Sequence, residues 1–106
     1  MGGGVPHIDT ELIFHRKSML SDTEMVEIKI WKVPRSDQYP EGISYSMVYL
    51  RKTGDKYRRI LGFDNREGKG YHKHEKGKEE KLIFISVEEL IDRFRRAVED
   101  IREVNR

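Results

Sequence analysis

The run Met25-Val26-Glu27-Ile28-Lys29-Ile30-Trp31-Lys32-Val33 does most to limit what this chain can become. Val26, Ile28 and Ile30 alternate with Glu27 and Lys29, a period of two that places all three apolar side chains on one face of a strand. A strand of that kind needs something apolar laid over that face. The far end of the chain supplies it. From Leu90 onward, Ile91, Phe94, Ala97, Val98, Ile101 and Val104 recur at intervals of three and four, while Arg93, Arg95, Arg96, Glu99, Asp100 and Arg102 fall on the other side. Ser86 followed by Glu89 is a capping box, and Glu88 and Glu89 in the first turn complement the helix dipole. These two segments together predict an amphipathic helix packed across a sheet.

The remaining strands follow from similar arguments. Glu11-Leu12-Ile13-Phe14-His15, within Thr10 to Met19, reads as a first strand, with Leu20-Ser21-Asp22-Thr23 as the turn after it. Pro34 closes the second strand, and Arg35 to Gly42 is an exposed loop. Ile43 to Arg51 and Tyr57 to Phe63 form a hairpin about Thr53-Gly54-Asp55-Lys56, with Tyr45, Met47 and Tyr49 on one face. Asp64 to Gly70, poor in apolar residues, is a loop. His72-Lys73-His74 is an extended segment, Lys76 to Lys81 a charged connection, and Leu82-Ile83-Phe84-Ile85 a short strand buried on both sides. The predicted class is α+β: an antiparallel sheet of about five strands against one C-terminal helix. One helix covers one face, so the other face, carrying Trp31 or the tyrosine row, is expected to be a partner or homodimer surface.

Length and composition set the outer limits. At 106 residues, 1–106 is expected to be a single domain, with 1–9 a flexible N-terminus. The chain has no cysteine, which removes disulfides, thiolate zinc sites and cysteine nucleophiles and fits a reducing, cytoplasmic setting. No apolar run is long enough for a membrane span, and Met1-Gly2-Gly3-Gly4 lacks the basic and apolar regions of a signal peptide. No phosphate loop, dinucleotide fingerprint or other cofactor motif is present, so no cofactor is expected.

Net charge is only +2, but it is unevenly spread: Arg51 to Lys81 holds eleven Lys and Arg against six Asp and Glu, an excess of five. Phosphate-bearing ligands are drawn to such a segment. Within it, Asp64, Asn65, Arg66, His72 and His74 form the candidate constellation. One reading is phosphodiester chemistry: His72 and His74 exchange protons, Asp64 orients one of them, and an RNA substrate supplies its own 2′-hydroxyl. Arg58, Arg59, Asn65, Arg66, Lys69 and Lys73 would then hold nucleic acid. A second reading binds a metal ion with His72, His74 and Asp64. A third makes Asp64 and Asn65 an Asx turn, with Gly68 and Gly70 at positive φ and both histidines on the surface. In the strands, Trp31 and the tyrosines at 45, 49 and 57 are more simply core residues than stacking platforms.

Ile30-Trp31-Lys32-Val33-Pro34, Leu61 to Gly70, His72-Lys73-His74 and the Ser-Val-Glu-Glu-Leu helix start together resemble the TumE-type toxins of prokaryotic toxin–antitoxin pairs, over nearly the whole chain after Thr10. The resemblance implies a toxin-like protein neutralised by a neighbouring DNA-binding antitoxin. Asp64 and Asn65 fall on the family's Asp-Asn, and His72 and His74 on its histidine-rich segment. Tyr71 stands where relatives often carry further histidines and a proline. The leading reading is a toxin acting on RNA as a metal-independent ribonuclease; the alternative is a non-enzymatic module binding nucleic acid or an acidic protein.

Overall fold

A computed structural model describes residues 10–65 and 70–104. The expected flexible segment 1–9 and the candidates Arg66 and Lys69 lie outside those residues. Six strands form one antiparallel sheet in sequence order: β1 (Glu11–Ser21), β2 (Glu24–Lys32), β3 (Ile43–Thr53), β4 (Lys56–Asp64), β5 (His72–Glu75) and β6 (Lys78–Lys81), followed by α1 (Val87–Val104). Every strand pairs with its sequence neighbour; tight turns join β1 to β2, β3 to β4 and β5 to β6, while the longer segment 33–42 joins β2 to β3.

The alternation of β2 appears as expected: Ile28 and Ile30 are buried, opposite Met47 and Tyr45 of β3. Met47 in turn lies opposite Phe63 of β4, and Phe63 meets Phe94 of α1 edge to face at 5.3 Å. Leu90, Phe94, Val98 and Ile101 form the buried side of the helix, and full burial of a Phe side chain contributes about 2–3 kcal/mol. Half of the expected capping box forms: the Glu89 N–H donates to Ser86 Oγ at 3.1 Å, while Glu89 Oε2 accepts from Arg93 rather than reaching back to the Ser86 N–H. Val104, placed in the apolar stripe by its spacing, is 80% exposed at the last residue of the helix.

The tyrosine row is not on the uncovered face. Tyr45, Met47 and Tyr49 are buried beneath α1, whereas Trp31 lies on the face that α1 leaves uncovered, as does Tyr57, which pairs with Lys52 and at 41% exposure is not the core residue expected. Tyr45 stacks on Tyr71 at 5.2 Å, and Tyr71 on Phe84 at 4.7 Å. Burial raises both tyrosine pKa values, helped at Tyr71 by the hydrogen bond its hydroxyl donates to Glu41.

Two expectations for the last third are corrected. The connection Lys76 to Lys81 contains a strand: β5 and β6 form a hairpin around Lys76 and Gly77, whose φ values of 52° and 75° are those of a primed turn. The run Leu82 to Ile85 is not a strand. With β6 already paired to β5, this run swings from the sheet to the helix, burying Phe84 against Tyr71 while Ile83 and Ile85 are 77% and 65% exposed. The sheet therefore has six strands, its last edge formed by Lys78-Glu79-Glu80-Lys81, charges that discourage further pairing.

Candidate functional site

Register decides which side chains meet. Asp64 lies opposite His72, and Gly62 opposite His74, so Asp64 and both histidines project from the same side of the sheet. Phe63 and Lys73, between them in sequence, project to the helix side. The expected grouping of Asp64, His72 and His74 therefore stands on the uncovered face. His74 reaches diagonally across the ladder to place Nε2 3.3 Å from Asp64 Oδ2, and Glu79 Oε2 of β6 lies 3.7 Å from the same nitrogen. The His72 and His74 rings have centroids 6.2 Å apart and are tilted by 42°. His72 is 8% exposed, and the His74 side chain 25%.

Gly62 supplies the space. A Cβ there would meet Arg59 Cδ at 3.2 Å and its guanidinium Nη1 at 3.4 Å, so the Arg59 side chain lies across the bare backbone. The β3–β4 register shifts between Tyr49 and Leu50, which pairs Arg59 with Leu50 and sets Arg59 on the uncovered face despite the odd spacing to Gly62. A surface depression of about 290 Å³ beside His74 is walled by Arg59, Ile60, Lys78 and Glu79. Arg59, His74 and the carboxylates of Asp64 and Glu79 thus share one patch, with the His72 ring largely buried beside it.

The other candidates are placed elsewhere. Arg58 lies opposite Arg51, on the helix side of the sheet. Lys73 also projects there, 3.4 Å from Glu75 Oε1 and bordering Ala97 and Asp100 of α1. Asn65 is 2% exposed, and both ends of its amide are committed to β3: Oδ1 accepts from the Tyr45 N–H at 2.9 Å, and Nδ2 donates to the Ile43 carbonyl at 2.9 Å. Burial excludes Asn65 from contact with a macromolecule; it joins the end of β4 to the start of β3. The backbone that an Asx turn at Asn65 would close onto lies outside the described residues; the bonds seen for this amide are the longer-range pair to β3. Among the described residues, no group of three or more His, Asp or Glu side chains is gathered so as to hold a metal ion.

Gly62, Glu79 and Lys81 were not among the sequence candidates. Glu79 faces His74 and Lys81 faces His72 only because β6 pairs with β5. A glycine inside an otherwise apolar strand was the one local signal for Gly62.

Among the described residues, no helix is long and apolar enough to cross a membrane. Neither comparison with curated proteins nor comparison with solved structures gives a significant match. The sequence profile described as "Toxin TumE" does match, over residues 7–102 and hence across all six strands and nearly all of the helix. The chain belongs to the TumE toxin family.

Proposed function

We propose that this toxin cleaves RNA without a metal, using the patch on the uncovered face, and that a cognate DNA-binding antitoxin holds it in check. The observation that carries this reading is the His74–Asp64 contact at 3.3 Å with His72 alongside. Two imidazoles near one another can serve as base and acid for a single phosphodiester. His72 takes the proton from the ribose 2′-hydroxyl as that oxygen attacks the adjacent phosphorus. His74, ion-paired with Asp64 when protonated, gives its proton to the departing 5′-oxygen. The new bond is O2′–P, the broken bond is P–O5′, and the products are a 2′,3′-cyclic phosphate and a 5′-hydroxyl end. Arg59, lying over Gly62, stabilises charge on the phosphoryl oxygens. Of the basic candidates within the described residues, Arg59 alone is retained for this role, because Arg58 and Lys73 project to the other side.

The test is incubation of labelled RNA with the purified protein and with its His72→Ala, His74→Ala and Arg59→Ala variants, with and without chelator. Cleavage that chelator spares, that leaves cyclic phosphate ends and that either histidine substitution abolishes is the expected result. Intact RNA, or cleavage indifferent to both histidines, overturns the reading in favour of a binding module.

A further inference from the structure

We infer that the uncovered sheet face binds single-stranded RNA, the strand crossing from Trp31 on β2 to the histidine pair on β5. The choice of RNA over DNA rests on the cleavage reading above; the platform itself rests on register.

Successive pairings define a row that crosses all six strands: His15, Lys29, Ser46, Asp64, His72 and Lys81. Trp31 is one position along from Lys29 on the same face, opposite Ser44. Between Trp31 and the histidines the side chains on this face are Ser44 and Ser46 of β3 and Asp64 of β4, which is ion-paired with His74; all three are short, which leaves a trough rather than a ridge. From β2 to β5 is three strand spacings, about 14 Å. A few nucleotides of extended chain span that distance.

The face has an aromatic ring at one end and proton-transfer groups at the other, with cations alongside. Lys29 is half exposed, and Arg59 and Lys81 are exposed near the histidines. Glu27, the carboxylate in the Trp31 half, is held by His15 at 2.8 Å, and that hydrogen bond keeps its carboxyl below the usual carboxylate range. Its charge is answered within the protein by His15 and, at 3.9 Å, by Lys29, whose ammonium remains half exposed; Lys81 and Arg59 are the further exposed cations on this face. Bases stack on an aromatic ring only when they are unpaired, because an A-form duplex keeps its bases inside and offers backbone alone. A duplex laid on this face would gain the lysine contacts and lose the tryptophan. Single strands gain both.

The experiment measures binding apart from chemistry, using a fluorescein-labelled 12-nucleotide RNA with 2′-O-methyl riboses, which lacks the nucleophile. Anisotropy is recorded for this strand and for its duplex, with the unsubstituted protein and with Trp31→Ala, Trp31→Phe and Lys29→Ala. The single strand should bind at least tenfold tighter than the duplex. Trp31→Ala should weaken it by about 5- to 150-fold, the equivalent of 1–3 kcal/mol per stacked base, and Trp31→Phe should restore most of the loss. Lys29→Ala should reduce the slope of log Kd against log salt by about 0.7. Equal affinity for strand and duplex, no binding at all, or binding indifferent to Trp31 and Lys29 in variants that melt like the unsubstituted protein overturns the platform. If the platform holds but unmodified RNA stays intact, the cleavage reading fails alone. If RNA is cut in a histidine-dependent way while Trp31→Ala changes neither cleavage nor binding, the platform fails alone.

Discussion

His74 stands two pairs along the β4–β5 ladder from Asp64, yet its Nε2 comes within 3.3 Å of the Asp64 carboxylate because Gly62, directly opposite His74, contributes no side chain to block the diagonal. An aspartate at the end of one strand and a histidine inside the next thus become a pair through a vacancy between them. The same vacancy admits the Arg59 side chain, so one glycine sets the positions of three charged or chargeable groups.

Asp64→Asn keeps the shape of this pair and removes the charge. Asp64 is argued to position and support His74 rather than to touch the substrate, so its loss should be smaller than the 10²–10⁴-fold that general acid–base catalysis contributes. The expected effect is a fall in kcat for RNA cleavage of about 10- to 100-fold with KM little changed, and with it a displaced acidic or basic limb of the pH–rate profile. An equal fall in kcat/KM through KM alone would assign Asp64 to binding instead.

Gly62→Ala separates stability from activity. The backbone at Gly62 is ordinary strand, and an added Cβ meets only the flexible Arg59 side chain. Glycine in a strand interior costs about 0.5–1 kcal/mol relative to alanine, so the variant should melt at or slightly above the parent temperature. Its cleavage rate should nevertheless fall, because Arg59 is displaced from its place beside His74. A variant that loses stability and keeps its rate would show that the Arg59 position is incidental.

Much of the frame was legible in the sequence. The alternation through Val26, Ile28 and Ile30, the hairpin about Gly54 and the Ser86 N-cap are local signals, each complete within a few residues, and the structure reproduces all three, though Glu89 turns to Arg93 and leaves the capping box half made. Strand β6 was not legible, because Lys78-Glu79-Glu80-Lys81 has no apolar face and is held by backbone pairing to β5 with the Glu79–His74 contact beside it. Leu82-Ile83-Phe84-Ile85 misled in the opposite direction: its apolar character serves Phe84 packing on Tyr71 in a linker. At the site, Asp64, His72 and His74 were candidates by proximity along the chain, and that His74 meets Asp64 follows from the β4–β5 register. Which neighbours join them depends on face, and the side on which Lys73 or Arg58 projects follows from register and from the bulge at Tyr49–Leu50, both invisible without the fold.

Asn65→Ala should behave as a stability variant whatever the protein acts upon. It leaves the Tyr45 N–H and the Ile43 carbonyl without their partner in a nearly closed setting. An unsatisfied buried donor or acceptor costs about 1–3 kcal/mol, so the urea midpoint should fall accordingly with little change in the slope of the transition. Asn65→Asp can still accept from the Tyr45 N–H but sets a carboxylate against the Ile43 carbonyl, and should be at least as harmful at neutral pH.

Glu24 ties the end of α1 to the sheet, and its protonation should be visible in acid unfolding. Its carboxylate accepts hydrogen bonds from the Tyr49 hydroxyl, from Arg102 Nε at 2.9 Å and from Ser21 Oγ at 2.9 Å. The bond from Tyr49 contributes most, with Arg102 next among the groups that favour the charge, and together they hold the Glu24 pKa down to about 2 from an ordinary 4.5. A pKa lowered by folding means that the unfolded chain takes up the proton first. The stabilisation is therefore complete above about pH 4.5, declines as the unfolded state protonates, and is gone once pH falls below about 2. Glu24→Gln should cost on the order of 1–2 kcal/mol at pH 7, since it replaces bonds to a charged acceptor with bonds to a neutral one. The informative measurement is urea unfolding of both proteins from pH 7 to pH 2. Their midpoints should differ at pH 7 and converge between pH 4.5 and pH 2; a gap that stays constant through that window would mean that Glu24 contributes by its shape and not by its charge.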